Sequence, residues 1–172
     1  MSSGIYTTVK LHPFYQQFLR GQFQQTEQVF QFPKGHDLLM RLEFFLAKAP
    51  ADFKPANYGK QTFRIEIPYM EHKDPFYYNY ISENKSVLFA RRIREYFRDV
   101  IHEEIGRARR KGFTRSEIIY GLMEELHISP TYFDLMEKEY KRYLQAERSR
   151  RFKKGKKTPQ LRRKKINTAN AR

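Results

Sequence analysis

The chain has no cysteine and no tryptophan among its 172 residues. The lack of cysteine excludes disulfide staples, zinc fingers and thiol catalysis together. No stretch approaches 18 consecutive apolar residues, so the sequence offers no membrane span. Met1 to Val9 lacks a basic segment leading into an apolar one, so no secretion signal is legible and a cytoplasmic location is expected. The glycines form no phosphate-cradling loop. His12, His36, His72, His102 and His127 are scattered, with no pair at metal-ligand spacing, and His102-Glu103-Glu104 lacks the second histidine of a zinc-protease helix. Neighbouring carboxylates such as Glu103/Glu104 and Glu124/Glu125 point in different directions on a helix and read as solvent-facing pairs. The expectation is a protein that is not an enzyme, with no catalytic residue, no metal site and no cofactor.

Acid is also missing from one place. The last 25 residues hold twelve Lys and Arg and no Asp or Glu, against a net charge of +15 for the whole chain. Residues 1–90 carry +2, residues 91–111 carry +4 and residues 114–147 carry −3. The charge excess therefore lies in a basic C-terminal arm, 148–172, with Arg148, Arg150, Arg151, Lys153, Lys154, Lys156 and Lys157 before Pro159 and Arg162, Arg163, Lys164 and Lys165 after it. Alone, such a segment repels itself and is expected to be disordered, or ordered only on binding. Against a polyanion it neutralises phosphates and releases counterions. A solubilising tail, an address tag and attraction to anionic lipid are the other readings. The last is weakened because only Phe152, Leu161 and Ile166 are bulky and apolar.

The remainder of the chain is rich in what a core needs, with 15 Phe and 12 Tyr, far more than a disordered chain carries. Ile5, Thr7, Val9 and Leu11 alternate as a first strand. Pro13 opens a short helix to about Arg20, with Phe14 and Phe18 inward. Gln22 to Gln28 reads as a loop, and Val29 to Phe32 as a short strand. Leu38, Leu39, Leu42, Phe45 and Leu46 follow helical spacing within 36–48. Ala49 to Gly59 is a loop, and Phe63, Ile65 and Ile67 alternate in a strand that Pro68 ends. Phe89, Ile93, Phe97, Val100, Ile105 and Ala108 mark a long helix from about Glu83 to Lys111, ended by Gly112. Thr114-Arg115-Ser116-Glu117 fits a capping box, with Phe113 and Ile118 placed to form its hydrophobic staple. Ser129-Pro130 then restarts a helix, with Phe133, Met136, Tyr140 and Tyr143/Leu144 as its stripe, that can run on into the basic arm.

Helix 115–126, a short break and helix 130–147 have the layout of a helix-turn-helix. Thr131, Tyr132, Asp134 and Lys138 are the groove-facing candidates. Asp134, Glu137 and Glu139 are awkward neighbours for phosphate, and a helical hairpin that packs the core or a partner has the same spacing. The long helix carries Arg91, Arg92, Arg94, Arg98, Arg107, Arg109, Arg110 and Lys111, which Glu95, Asp99, Glu103 and Glu104 can pair internally. Its two basic ends are the less compensated parts. The run Phe76 to Tyr80 could stack unpaired bases. Glu71, Asp74 and Glu83 crowd it, so packing into the core or a loop is expected.

In its order of parts the chain resembles small uncharacterised proteins of bacteriophages and mobile elements, on the strand Phe63 to Pro68 and on Phe113 to Pro130. The resemblance is one of layout over about two-thirds of the chain. It implies a DNA-binding or regulatory role and transfers no functional residue. The combined reading is a helix-dominated α+β domain over 1–147, with a small sheet, one long helix and a hairpin at 114–147, followed by the basic arm. The expected partner is nucleic acid, DNA slightly before RNA, with no membrane and with homo-oligomers possible. The alternative is a virion or assembly protein whose arm contacts packaged genome or an acidic partner.

Overall fold

The computed structural model describes residues 4–157, and it is α+β with helices predominating. Strands β1 (Tyr6–Lys10), β2 (Val29–Phe30) and β3 (Thr62–Glu66) make one sheet in the order β1-β3-β2. β1 pairs antiparallel with β3, placing Val9 opposite Phe63, and β2 pairs parallel with β3, placing Phe30 opposite Ile65. Helices α1 (Pro13–Gln22), α2 (Asp37–Phe45) and α3 (Glu83–Arg110) precede the pair α4 (Arg115–Glu125) and α5 (Phe133–Lys157).

α1 and α2 share a capping device. His12 and His36 each occupy the N-cap, and each imidazole Nδ1 accepts a backbone N–H two residues on, from Phe14 and Leu38, at 3.2 Å. This satisfies a donor that the first turn of a helix leaves orphaned. α2 stops at Phe45, three residues short of the sequence expectation. Leu46 turns extended and Ala47 N–H instead reaches Tyr80 O at 2.9 Å, joining the two loops. In β1 the alternation is less clean than its sequence implies, because Thr8 is buried together with Thr7 and Val9.

α3 forms the spine. Phe89, Ile93, Phe97, Ile101 and Ile105 recur every four residues and are fully buried. Phe97 receives Phe14 and Phe18 of α1 edge-on, with ring centroids at 5.1 and 4.9 Å. Contacts of this kind add about 0.5–1.5 kcal/mol per pair beyond area burial. Ile101 takes the inward place that the sequence reading gave to Val100, which is only half-buried.

Two left-handed residues set the turns around α4. Gly112 (φ +89°) ends α3: its N–H reaches Arg109 O and the Phe113 N–H reaches Ala108 O. The same bond pattern ends α4 at His127 (φ +51°), whose side chain makes that conformation costly. The capping box of α4 is formed on both sides. Thr114 Oγ1 accepts from Glu117 N–H, and Glu117 Oε2 accepts from Thr114 N–H at 2.8 Å. Phe113 and Ile118 line one surface groove, but Phe113 stays half exposed, so the staple is only partly closed. α4 approaches α1 closely at Gly21, where an added Cβ would lie 2.0 Å from Leu126 O.

Candidate nucleic-acid interface

The segment leading into α5 is fixed from both sides. Ser129 Oγ accepts the Thr131 N–H, the Ser129 N–H donates to Gln17 Oε1 of α1 at 2.9 Å, and Pro130 starts a single 3-10 turn. The α-helix begins at Phe133, not at Pro130. It passes through residue 147 without a break and continues to Lys157. The boundary expected between compact domain and arm therefore falls inside one helix, and the first ten residues of the arm are helical.

α5 runs parallel to α3. Glu139 meets Arg98 and His102, the Tyr143 ring lies beside buried Gly106, and Glu147 meets Arg109. The inward stripe of α5 is Met136 and Tyr140, buried, followed by half-buried Tyr143 and Leu144. Glu139 lies on the same side and its side chain is only 7% exposed. Its carboxylate faces Arg98 Nε and His102 Nε2, both at 3.8 Å, and accepts from Arg142. Burial pushes the His102 imidazole below its ordinary pKa, against the opposing pull of Glu139. Glu137 is held by Arg115 of α4 and by Lys141 Nζ at 3.0 Å.

Two of the three acids that spoke against a groove-facing helix are thus occupied by neighbouring helices, and only Asp134 stays exposed. The same packing changes the candidate residues. Thr131 and Lys138 are exposed. Tyr132 turns inward, with its ring 5.8 Å from His12 and 5.4 Å from Phe14. It does so because the 3-10 turn, in place of a first α-turn, leaves it over the start of α1.

The basic face of α3 is largely paired, as its spacing implied. Arg91 and Arg92 bind Glu95, and Arg107 binds Glu103 and Glu104. Glu147 binds Arg109 at 2.6 Å and Arg151 at 2.7 Å, and these hydrogen bonds, that of Arg151 first, hold its carboxyl below the usual range. Arg110 and Lys111, by contrast, have no carboxylate within ion-pair reach among the described residues. Arg110 and Arg150 line one cleft of about 330 Å³ between α3 and α5, floored by Gly106 and Tyr143.

Just past this cleft α3 ends at Arg110, while α5 continues to Lys157. The stripe that was apolar at Met136, Tyr140 and Tyr143 becomes Glu147, then Arg150 and Arg151, three and four residues further on. Arg148, Arg150, Arg151 and Lys153 are exposed, and Lys154, Lys156 and Lys157 belong to the same helix. Arg162, Arg163, Lys164 and Lys165 lie outside the described residues.

The aromatic run at 76–80 divides in two. Tyr80 packs its ring on Phe53, and Tyr78 lies beneath Lys48 and Lys73. Phe76 and Tyr77 are exposed on a loop, where Asp74 Oδ1 accepts the Phe76 N–H. The sequence reading also missed the Glu139 cluster. Its available signal was an acid spaced three and four residues from Met136 and Tyr143, on the apolar side of the helix.

Among the described residues no group of three His, Asp or Glu could hold a metal ion, and no helix is long and apolar enough to cross a membrane. Comparison with protein-family models, with curated proteins and with solved structures gives no match.

Proposed function

We propose that this chain binds duplex nucleic acid through its phosphates, using the C-terminal half of α5, the basic segment after it and the end of α3. One observation carries the reading: where α3 ends, the side of α5 that had packed against it turns basic at Arg150 and Arg151, and Arg150 has no carboxylate within ion-pair reach among the described residues. A helix about 10–12 Å across matches the major groove of B-form DNA, whereas the major groove of A-form RNA is too narrow and deep. DNA is therefore favoured over RNA. The first turns of α5, enclosed by α3 and α4, set the direction of the helix, and Thr131 and Lys138 are left as its outward contacts. The role is a non-enzymatic one in a phage or mobile-element setting, as the layout resemblance implies.

The experiment is removal of residues 148–172. The shortened protein should keep its fold and lose most of its DNA affinity. Its salt slope, d log K/d log[salt], should shrink by several units, since each phosphate contact contributes about −0.9 on B-DNA. Unchanged affinity in the shortened protein would overturn the reading.

A further inference from the structure

At the other end of α3 the surface has the opposite character. Phe44 on α2 is 76% exposed, Tyr69 is 82% exposed, and Met40 beside them is half exposed. Phe76 and Tyr77 continue this edge on the loop that Ala47–Tyr80 and Ala49–Tyr77 bonds hold against the end of α2. Monomers rarely leave so many large side chains together in water without a partner. Glu43 and Glu71 line one groove with Phe44 and Tyr69, and Asp74 Oδ1 accepts the Phe76 N–H at 2.9 Å. The local cation Lys73 spends its ammonium on Glu43 O and Leu46 O, at 2.7 and 3.3 Å. Open aromatic faces beside carboxylates form a surface suited to Arg and Lys side chains with apolar neighbours, through cation–π contact, ion pairing and burial of the stems.

The chain itself contains such a ligand. Leu161-Arg162-Arg163-Lys164-Lys165-Ile166 sets four cations between two apolar residues, in a stretch from 148 to 172 with no acid. It cannot reach the surface of its own molecule. Phe45 of α2 packs on Phe89, near the start of α3, while Arg150 lies level with Arg110, at its end. These levels are separated by about 32 Å of helix, and α5 extends about 10 Å further before Lys157. Lys165 is eight residues on, a reach of at most about 29 Å.

We infer that the aromatic and acidic surface around Phe44, Tyr69, Glu71 and Asp74 docks residues 161–166 of a second copy of this chain. Because the two surfaces differ, the contact is heterologous, and repeating it extends an open row of molecules. The inference does not rest on nucleic-acid binding.

The test uses the full chain, freed of nucleic acid, and a fluorescein-labelled peptide of residues 158–172 followed by anisotropy. The peptide should bind the parent saturably and bind Glu71→Arg/Asp74→Arg at least about tenfold more weakly. Phe44→Ser/Tyr69→Ser should lose a similar factor. A peptide carrying Arg162→Glu and Arg163→Glu should bind the charge-reversed protein better than the parent. In sedimentation velocity the parent should form concentration-dependent species beyond a dimer, and both protein variants should stay monomeric. All four positions lie at the surface, so matching melting curves would show that the variants fold. Equal peptide binding by parent and charge-reversed protein, or a parent monomeric at about 100 μM, would overturn the inference. DNA affinity unchanged in the patch variants would keep this result separate from the proposed function.

Discussion

The two ends of α3 handle their charges and rings in opposite ways. At the N-terminal end the rings outnumber what the core can take, so Phe44, Tyr69, Phe76 and Tyr77 face water with acids beside them. At the C-terminal end the rings are used up by packing, and acids are spent one by one: Glu139 on Arg98 and Arg142, Glu137 on Arg115, Glu147 on Arg109 and Arg151. What remains there is cation with no carboxylate in ion-pair reach among the described residues, at Arg110, Lys111, Arg148, Arg150 and Lys153. Net charge alone hides this, because three acids of 114–147, Glu137, Glu139 and Glu147, are paired with basic residues of α3, α4 and α5 itself. The useful quantity is the charge left after the internal pairs are closed.

The largest effect should come from cancelling that remainder. Replacing Arg148, Arg150, Arg151 and Lys153 with Gln should lower affinity for duplex DNA about a hundredfold near physiological salt and reduce the salt slope by about 3 to 4. Glu43→Gln/Glu71→Gln/Asp74→Gln, at the opposite end, should change the affinity by less than about twofold. Gel shifts at two salt concentrations read both. If the acid-end variant shifted affinity as far as the arm variant, the division of roles between the ends would fail.

A smaller effect tests how the basic end is held to the rest of the molecule. α4 meets α1 through the close approach of Gly21 to the Leu126 carbonyl, and any Cβ there must push backbone aside. Gly21→Ala should cost about 1–3 kcal/mol, read as a melting temperature lower by several degrees. An unchanged melting curve would mean that α4 is carried by α3 and α5 alone.

How much of this was legible follows the physics of each signal. Period and punctuation are local, so the strand at Phe63, the long helix to Gly112 and the Thr114 capping box could be read from neighbouring residues alone. The 3-10 turn at Pro130–Tyr132 was not. Serine before proline marks a helix start but does not distinguish 3-10 from α, and that difference decides where Tyr132 points. The arm was visible as charge, and the last helix was expected to be able to run into it; how far it runs was not legible, because alternating cations carry no period of their own. The Glu139 and Glu147 contacts join residues 37 to 41 positions apart in sequence, and no pattern within one helix names the partner on another. Whether Phe76 and Tyr77 belong to the core or to a loop was left open for the same reason: whether a ring is covered depends on what the distant α2 leaves free.

The smallest expected effect concerns the seam that fixes α5 along α3. His102 is half-buried, its Nε2 makes no hydrogen bond among the described residues, and Glu139 Oε2 lies 3.8 Å away, likewise without one. Burial disfavours the imidazolium and lowers the pKa, while Glu139 and Asp99 pull it upward and Arg98 reinforces the fall. The net direction is down. An unfolded histidine titrates near 6.5, so just below that pH the unfolded chain binds more protons than the folded one. The stability that neutral His102 contributes is complete above about pH 6.5 and is lost as pH falls through the lower, folded value. His36 is shifted the same way, by burial against the pull of Asp37, so it supplies a second part of the same slope. His102→Gln should therefore reduce, without abolishing, the fall in urea-unfolding stability between about pH 7 and 5.5. A parent that instead grows more stable over that range, with the gain lost in His102→Gln, would show that the ion pair with Glu139 outweighs burial. The seam between α3 and α5 would then tighten with acid, and the basic end would be held more firmly at low pH, not less.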